Sequence, residues 1–140
     1  DFHHTARVAM TGHREGYLND FQGTPQELIS AVKWGYLYQG QWIERQQRFR
    51  GTPALDIEAP RFVLILQNHD QVANSPHGRR CHMLTSPGRH RAMTALLLLS
   101  PGTPLLFQGQ EFCSSSPFLF FADHNADLAP LVAAGRKQRA

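Results

Sequence analysis

The apolar run from Phe62 to Leu66 constrains the fold of this 140-residue chain more than any other feature. Every position of the run is apolar, whereas a strand with one buried face alternates apolar and polar residues. The run therefore predicts a strand buried on both faces, as in a parallel sheet. A second short apolar run, Leu105 to Phe107, predicts another strand.

A helix is predicted between these two strands. Ser86 and Pro87 provide the residues that favour a helix start, and Pro101 and Gly102 end it. On its inner face we place Ala92, Ala95, Leu96 and Leu99. Crossovers from strand to helix to strand are almost always right-handed and parallel, so both strands should end at the same edge of the sheet. The chain is therefore predicted to be an α/β protein.

Two further helices flank this unit. Thr24, Pro25 and Glu27 form a helix start with the pattern of a capping box, and Gly40 offers a stop. The polar stretch 41–60, broken by Gly51 and Pro53, is predicted to be a long loop. A last helix is predicted from Ala129 to about Gln138.

Composition argues against several classes of partner. The net charge of +3 comes mostly from scattered arginines, whereas a nucleic-acid surface needs a basic stripe with stacking aromatics. The longest apolar run, around Leu96 to Leu99, is too short to span a bilayer. Cys81 and Cys113 have no CxxC spacing and fit reduced cysteines of a cytoplasmic protein. We therefore expect no nucleic-acid or membrane partner.

The residues whose side chains could act in catalysis or binding follow the two strands. Asn68, His69 and Asp70 come after the first, and Gln108 to Glu111 after the second. Enzymes with parallel strands place their sites at this edge. A carboxylate at Asp70 can accept hydrogen bonds from two sugar hydroxyls, and these contacts strengthen as an oxocarbenium-like transition state develops. From the residues alone, an Asp70 that caps a helix and a His69 that packs in the core remain equally open.

The histidines do not indicate a metal site. His3 and His4 are adjacent, and on a strand they would point to opposite faces, which makes them a poor ligand pair. No third ligand lies at a metal-binding spacing, so we expect neither metal nor cofactor. Four other histidines are expected to be solvated in loops and at helix starts: His13, His77, His82 and His90.

The segment Phe62 to Gln71 resembles the seventh-strand motif of glycoside hydrolase family 13, the α-amylase family. The resemblance implies that Asp70 is the third catalytic carboxylate, which stabilises the transition state, and that His69 contacts the sugar. It also implies that Asn68 and Gln71 bind substrate. The segment Pro101 to Glu111 is similar to the eighth strand and its following loop, which adds Glu111 to the substrate-binding residues.

Other blocks are similar to one subfamily, the malto-oligosyltrehalose trehalohydrolases. The run Asp1 to His4 matches the one after the sixth strand, which implies that Phe2, His3 and His4 line the sugar cleft. The run Pro117 to His124 resembles a signature of the same subfamily. Arg79 stands where an acid is usual, and Gln110 and Phe112 replace the usual Glu and Trp, a form closer to glucan branching enzymes.

The resemblance implies a partial (β/α)8 TIM barrel, from about the end of strand 6 through strand 8 and the following helix. Residues 1–140 would be the C-terminal portion of the catalytic barrel of a retaining hydrolase, whose nucleophile Asp and acid Glu precede Asp1. We expect this chain alone to be inactive and, with open strand edges, prone to aggregate. Its expected partners are malto-oligosyltrehalose and the N-terminal part of the barrel. The alternatives are a branching enzyme, another α-glucan-active enzyme, or a non-catalytic glycan-binding remnant.

Overall fold

A computed structural model describes residues 1–119 and 122–138 of the chain. Short 3-10 turns connect the helices and strands. In chain order these elements are α1 (Phe2–Thr11), α2 (Pro25–Trp34), β1 (Gln41–Ile43), β2 (Arg48–Arg50), β3 (Val63–Ile65), α3 (His69–Ala73), α4 (Pro87–Leu99), β4 (Thr103–Leu105) and α5 (Leu128–Lys137).

The predicted βαβ unit is present. Strands β3 and β4 pair in parallel, with Val63 opposite Thr103 and Ile65 opposite Leu105, and α4 lies between them in the chain. Strand β4 ends at Leu105, where the sequence predicted a strand from Leu105 to Phe107. The reason for the shift is a short turn after α4, from which the Thr103 amide already donates to the carbonyl of Phe62 at 2.8 Å.

The prediction that β3 is buried on both faces was wrong for part of the strand. Leu64 and Leu66 are buried in the main core, whereas Val63 is 60% exposed. Alternate residues of a strand point to opposite faces, and among the described residues the core covers the face that carries Leu64. That core is built by apolar residues from several elements: Phe2, Ala6, Met10, Ala31, Leu64, Leu66, Cys81, Met93 and Leu97.

The inner face of α4 also differs from its prediction. The buried residues are His90, Met93 and Leu97, whereas Ala92, Ala95 and Leu99 are exposed, Leu99 to 86%, and Leu96 is half-buried. Buried positions three and four residues apart lie on one helical face. The leucine run 96–99 fills every position around the helix, so it could not show which face is buried.

Helix α2 begins as predicted and ends earlier. The Thr24 hydroxyl accepts from the Glu27 amide at 3.3 Å, while the Glu27 carboxylate accepts from the amides of Gln22 and Gly23. The helix ends at Gly35, whose φ of 77° is left-handed, and not at Gly40. Residues beyond a left-handed glycine no longer continue the helical hydrogen bonding.

The stretch 41–60, predicted as a loop, contains a β-hairpin. Strands β1 and β2 pair antiparallel, and the Trp42 and Phe49 rings meet edge to face at 5.2 Å. The carboxylate of Asp20 accepts from Arg45 and Arg50, which ties the hairpin to the segment before α2. Helix α5 lies one residue from its predicted bounds. None of the helices in the described ranges is long and apolar enough to cross a membrane.

Candidate functional site

The turn after β3 is fixed by two of the predicted site residues. Asn68 is the N-cap of α3, and its side-chain oxygen accepts from the Asp70 amide at 2.9 Å. The side-chain oxygen of Gln71 accepts from the Asn68 amide at 2.8 Å, which completes a capping box. Asn68 and Gln71 therefore hold the turn that carries His69 and Asp70 at the edge of the sheet.

His69 and Asp70 are exposed to solvent and contact each other. The Asp70 carboxylate lies 3.4 Å from Nε2 of His69, and the two side chains are 58% and 55% exposed. Both lie in the first turn of α3, where backbone amides and the helix dipole favour negative charge. The cap of this helix is Asn68, so the structure does not use Asp70 as a cap or His69 as a core residue.

The loop after β4 leaves the sheet at the same edge. Ile65 pairs with Leu105, and Asn68 and Gln108 each follow their strand three residues later. The register of a parallel pair therefore places the Asn68–Asp70 turn and the Gln108–Glu111 loop on one side of the molecule. Glu111 is exposed in this loop.

A cavity of about 400 Å³ brings together four other predicted site residues. Its lining includes Phe2, His3 and His4 from α1 and Gln71 from α3, together with Tyr36. The lining described for this cavity does not include His69, Asp70 or Glu111. The predicted residues thus form two groups, one around the cavity and one at the exposed strand ends, with Gln71 next to both.

His3 and His4 lie on helix α1, so the expectation that they sit on a strand was wrong. Nδ1 of His3 lies 2.7 Å from the Leu66 carbonyl oxygen and donates to it, which leaves Nε2 as a buried acceptor without a protein partner. Burial lowers the pKa of both histidines to about 4. At neutral pH the cavity is therefore lined by two neutral imidazoles. Across the described ranges, no group of three His, Cys, Asp or Glu could hold a metal ion.

His90 contradicts the expectation that the remaining histidines are solvated. It is only 5% exposed, on the buried face of α4, and burial lowers its pKa. Its Nδ1 lies 3.8 Å from the Cys113 thiol, and its ring meets that of half-buried His82 at 5.8 Å. The sequence did not indicate that His90 is buried, because helical periodicity is recognised from apolar residues and histidine is polar.

One residue was not singled out for the site by sequence reasoning. Arg80 is 5% exposed and donates to two main-chain carbonyl oxygens, those of Gln108 and Ser116. The sequence signal for it was the segment 78–80, which resembles a Gly-Glu-Arg run of the trehalohydrolases: Gly78 and Arg80 are kept, and Arg79 replaces the acid. Of the Pro117–His124 block, Phe118 packs edge to face on Phe107 at 5.2 Å, and Phe120 and Phe121 lie outside the described residues.

Comparisons with known proteins identify the relatives of this chain, although no family model matches it. The malto-oligosyltrehalose trehalohydrolase of Deinococcus radiodurans is 44% identical over 140 residues, covering 99% of this chain and 23% of that protein. Those of Saccharolobus solfataricus and Arthrobacter ramosus are 34% and 37% identical and cover 88% and 97% of the chain, and 22% and 24% of their own lengths.

A solved structure supports the same relationship. A Salmonella typhimurium protein whose crystal structure is named among the alpha amylases superposes with a TM-score of 0.87 at 40% identity, covering 98% of this chain and 24% of that one. The chain thus spans about a quarter of the length of its relatives. The mixed α/β arrangement seen here is accordingly part of an alpha-amylase-type barrel. By sequence, the chain is homologous to the malto-oligosyltrehalose trehalohydrolases over the segment it spans, which confirms the family recognised from its motifs.

Proposed function

We propose that this chain supplies part of a retaining glycoside hydrolase that releases trehalose from malto-oligosyltrehalose by cleaving the α-1,4-glucosidic bond next to the trehalose unit. The observation that carries the proposal is Asp70, an exposed carboxylate on the first helical turn after β3. Asp70 occurs in a chain of which 99% aligns with a trehalohydrolase at 44% identity.

Asp70 acts in this reaction as the carboxylate that stabilises the transition state. Positive charge develops on the sugar ring as the glycosidic bond breaks, and hydrogen bonds to ring hydroxyls strengthen at the same time. An exposed carboxylate with its amide held by Asn68 can accept two such hydrogen bonds without rearrangement. His69 lies beside it to donate a further hydrogen bond to the sugar.

The cavity residues bind the substrate next to this carboxylate. His3 lines this cavity as a neutral imidazole held in place by its Nδ1 bond to the Leu66 carbonyl oxygen, so it shapes the site where the substrate binds. His4 provides ring surface, the buried Phe2 forms part of the cavity wall, and we assign the exposed Glu111 of the loop after β4 to the same substrate. The substrate of this site is an α-glucan.

Within the barrel, residues 1–140 run from about the end of the sixth strand through the eighth strand and its helix, so that β3 is the seventh strand and β4 the eighth. The parallel pairing of β3 and β4 around one crossover helix supports this assignment. A retaining mechanism needs a nucleophile and an acid carboxylate about 5–5.5 Å apart. We assign both to barrel segments other than residues 1–140, so this chain by itself should release no trehalose.

A branching enzyme is the second candidate, and the Gly109–Phe112 sequence favours it because Gln110 and Phe112 follow the branching-enzyme pattern. Gln110 is 3% exposed, and its side-chain oxygen accepts weakly from the Phe107 amide at 3.4 Å. In the described structure this residue shapes the loop and is not presented to a ligand. The difference at Gln110 therefore bears on packing more than on the reaction.

The experiment is a segment exchange. Residues 1–140 replace the matching segment of the Deinococcus radiodurans trehalohydrolase, and the hybrid is assayed with maltopentaosyltrehalose for trehalose and with amylose for new branch points. We expect trehalose release and no branching, because the exchanged segment would restore the third carboxylate to a complete barrel. The unaltered enzyme and the separate 140-residue chain are the controls. A folded hybrid that releases no trehalose, or that forms branch points, contradicts the proposal.

A further inference from the structure

We propose that Arg80 is a positioning residue: it holds the loop after β4, residues 107–116, so that Glu111 meets the glucan opposite Asp70. The inference rests on the proposed function and adds to it a residue that acts without touching the substrate. Arg80 is 5% exposed, whereas Glu111 and Asp70 are exposed.

A single guanidinium closes both ends of this loop. Nη1 of Arg80 donates to the Gln108 carbonyl oxygen at 2.6 Å, and Nε donates to the Ser116 carbonyl oxygen at 2.9 Å. The guanidinium also lies over the Phe107 ring, 5.5 Å from its centroid. Because the donors of a guanidinium are fixed in one plane, the two bonds set the distance between residues 108 and 116.

The loop fits closely around this side chain. The amide of Ser114 donates to the Gly109 carbonyl at 2.8 Å, which folds the loop back on itself. Gly109 has a φ of 80°, and a Cβ there would lie 2.8 Å from Cβ of Ser114 and 3.3 Å from Nη1 of Arg80. The loop therefore has little room for another arrangement while the guanidinium is present.

Arg80 is in turn attached to the strand that presents Asp70. The amide of Cys81, the next residue, donates to the side-chain oxygen of Gln67 at 2.8 Å. Gln67 is fully buried and directly precedes Asn68, the cap of the Asp70 turn. The loop that carries Glu111 is thus linked to the end of β3 by the two side-chain bonds of Arg80 and by the bond from the amide of the next residue, Cys81, to the Gln67 side chain.

The first test measures amide exchange in the 140-residue chain at low micromolar concentration. Arg80→Met removes both side-chain bonds, Arg80→Lys keeps the charge without the fork, and Arg79→Met is the control at the exposed neighbour. We expect exchange at Ser114 to accelerate about tenfold or more in Arg80→Met, less in Arg80→Lys, and not in Arg79→Met. The Thr103 amide of the β3–β4 ladder should be unaffected.

The second test measures trehalose release by the hybrid enzyme described above. The loop binds substrate but performs no chemistry. Arg80→Met should therefore raise KM by about tenfold and change kcat little. If Arg80 acts through Glu111, Arg80→Met should raise KM far less in a hybrid that already carries Glu111→Gln than in the unaltered hybrid. Arg80→Lys should recover part of the loss, and Arg79→Met should match the hybrid.

The outcomes separate the two claims. The positioning role is overturned if exchange at Ser114 is unchanged. It is also overturned if, in both Arg80→Met and Arg80→Lys, exchange at Thr103 accelerates as much as exchange at Ser114. An unchanged KM, or full additivity with Glu111→Gln, also overturns it. A hybrid with Arg80 intact that releases no trehalose overturns the proposed function instead, and the exchange rates then still decide whether Arg80 holds the loop.

Discussion

At the scale of single residues, buried polar groups set the chemistry of the cavity. His3 keeps its imidazole neutral because burial penalises the charged form, and its Nδ1 is committed to the Leu66 carbonyl. A neutral imidazole in a fixed tautomer keeps its second nitrogen, Nε2, as an acceptor, and this atom is buried without a protein partner. The same burial makes the folded chain sensitive to acid, since an unfolded histidine titrates at its ordinary pKa.

The pH dependence of stability should reveal this residue. The folded-state pKa of His3 is about 4, below the unfolded value of 6.5. The unfolded chain therefore binds more protons between these values, and the free energy of unfolding should fall as pH is lowered through this window. Between pH 7 and pH 5 the loss attributable to His3 is about 2 kcal/mol.

Urea unfolding at the two pH values checks this prediction. His3→Asn keeps an amide donor near the position of Nδ1 and removes the titration, so its stability should depend less on pH by about 2 kcal/mol. His77→Asn is the matched control, because His77 is exposed and its φ of 65° is one that asparagine tolerates. An identical pH dependence in His3→Asn and the unaltered chain would show that His3 does not carry the effect.

At the scale of elements, two helices end in left-handed glycines that differ in their surroundings. Gly12 after α1 and Gly35 after α2 have φ values of 74° and 77°. A Cβ at Gly12 would have no atom within 4 Å, whereas a Cβ at Gly35 would lie 2.6 Å from the Phe62 ring. The first position is restricted by backbone conformation alone, and the second also by the Phe62 side chain, directly before β3.

The two alanine variants should therefore separate strain from crowding. Gly12→Ala should lower the free energy of unfolding by about 1 kcal/mol, because alanine disfavours a positive φ. Gly35→Ala should lower it by about 2–4 kcal/mol, because the ring of Phe62 must also move. Thermal or urea unfolding measures both. Equal losses at the two positions would show that the contact with Phe62 is not tight.

Which elements could be predicted depended on how local their signals are. Thr24 with Pro25, and Ser86 with Pro87, start their helices through contacts within one turn, so the sequence was sufficient for both. The β1–β2 hairpin was missed because Trp42 and Phe49 are stabilised by each other across the strands, in a polar stretch without alternation. The buried face of α4 was predicted wrongly because the four consecutive leucines, 96–99, do not distinguish one side of the helix from another.

The candidate site followed the same rule. Asn68, His69 and Asp70 were predicted because they directly follow an apolar strand, and the parallel register brings them to the edge shared with Gln108. Arg80 was not predicted, because its partners are main-chain carbonyl oxygens 28 and 36 residues away in the sequence. Contacts of a side chain with distant backbone atoms leave no pattern in the residues near it.

At the scale of the whole molecule, several large apolar side chains lie outside the core and are exposed to solvent. Val63 and Leu105 of the parallel pair and Leu99 at the end of α4 are exposed. Apolar strand residues at an open edge favour association with other polypeptide segments. That the isolated chain self-associates stays a prediction.

The central claim concerns Asp70, and the direct test is its substitution in the hybrid enzyme. Asp70→Asn should lower kcat by at least about a hundredfold, since the carboxylate interaction is made mainly in the transition state. The stability of the hybrid should not change, because the side chain is exposed. Asp56→Asn, at an exposed carboxylate of the loop after the hairpin, is the control and should leave kcat unaltered. A folded Asp70→Asn hybrid with the kcat of its parent would contradict the account.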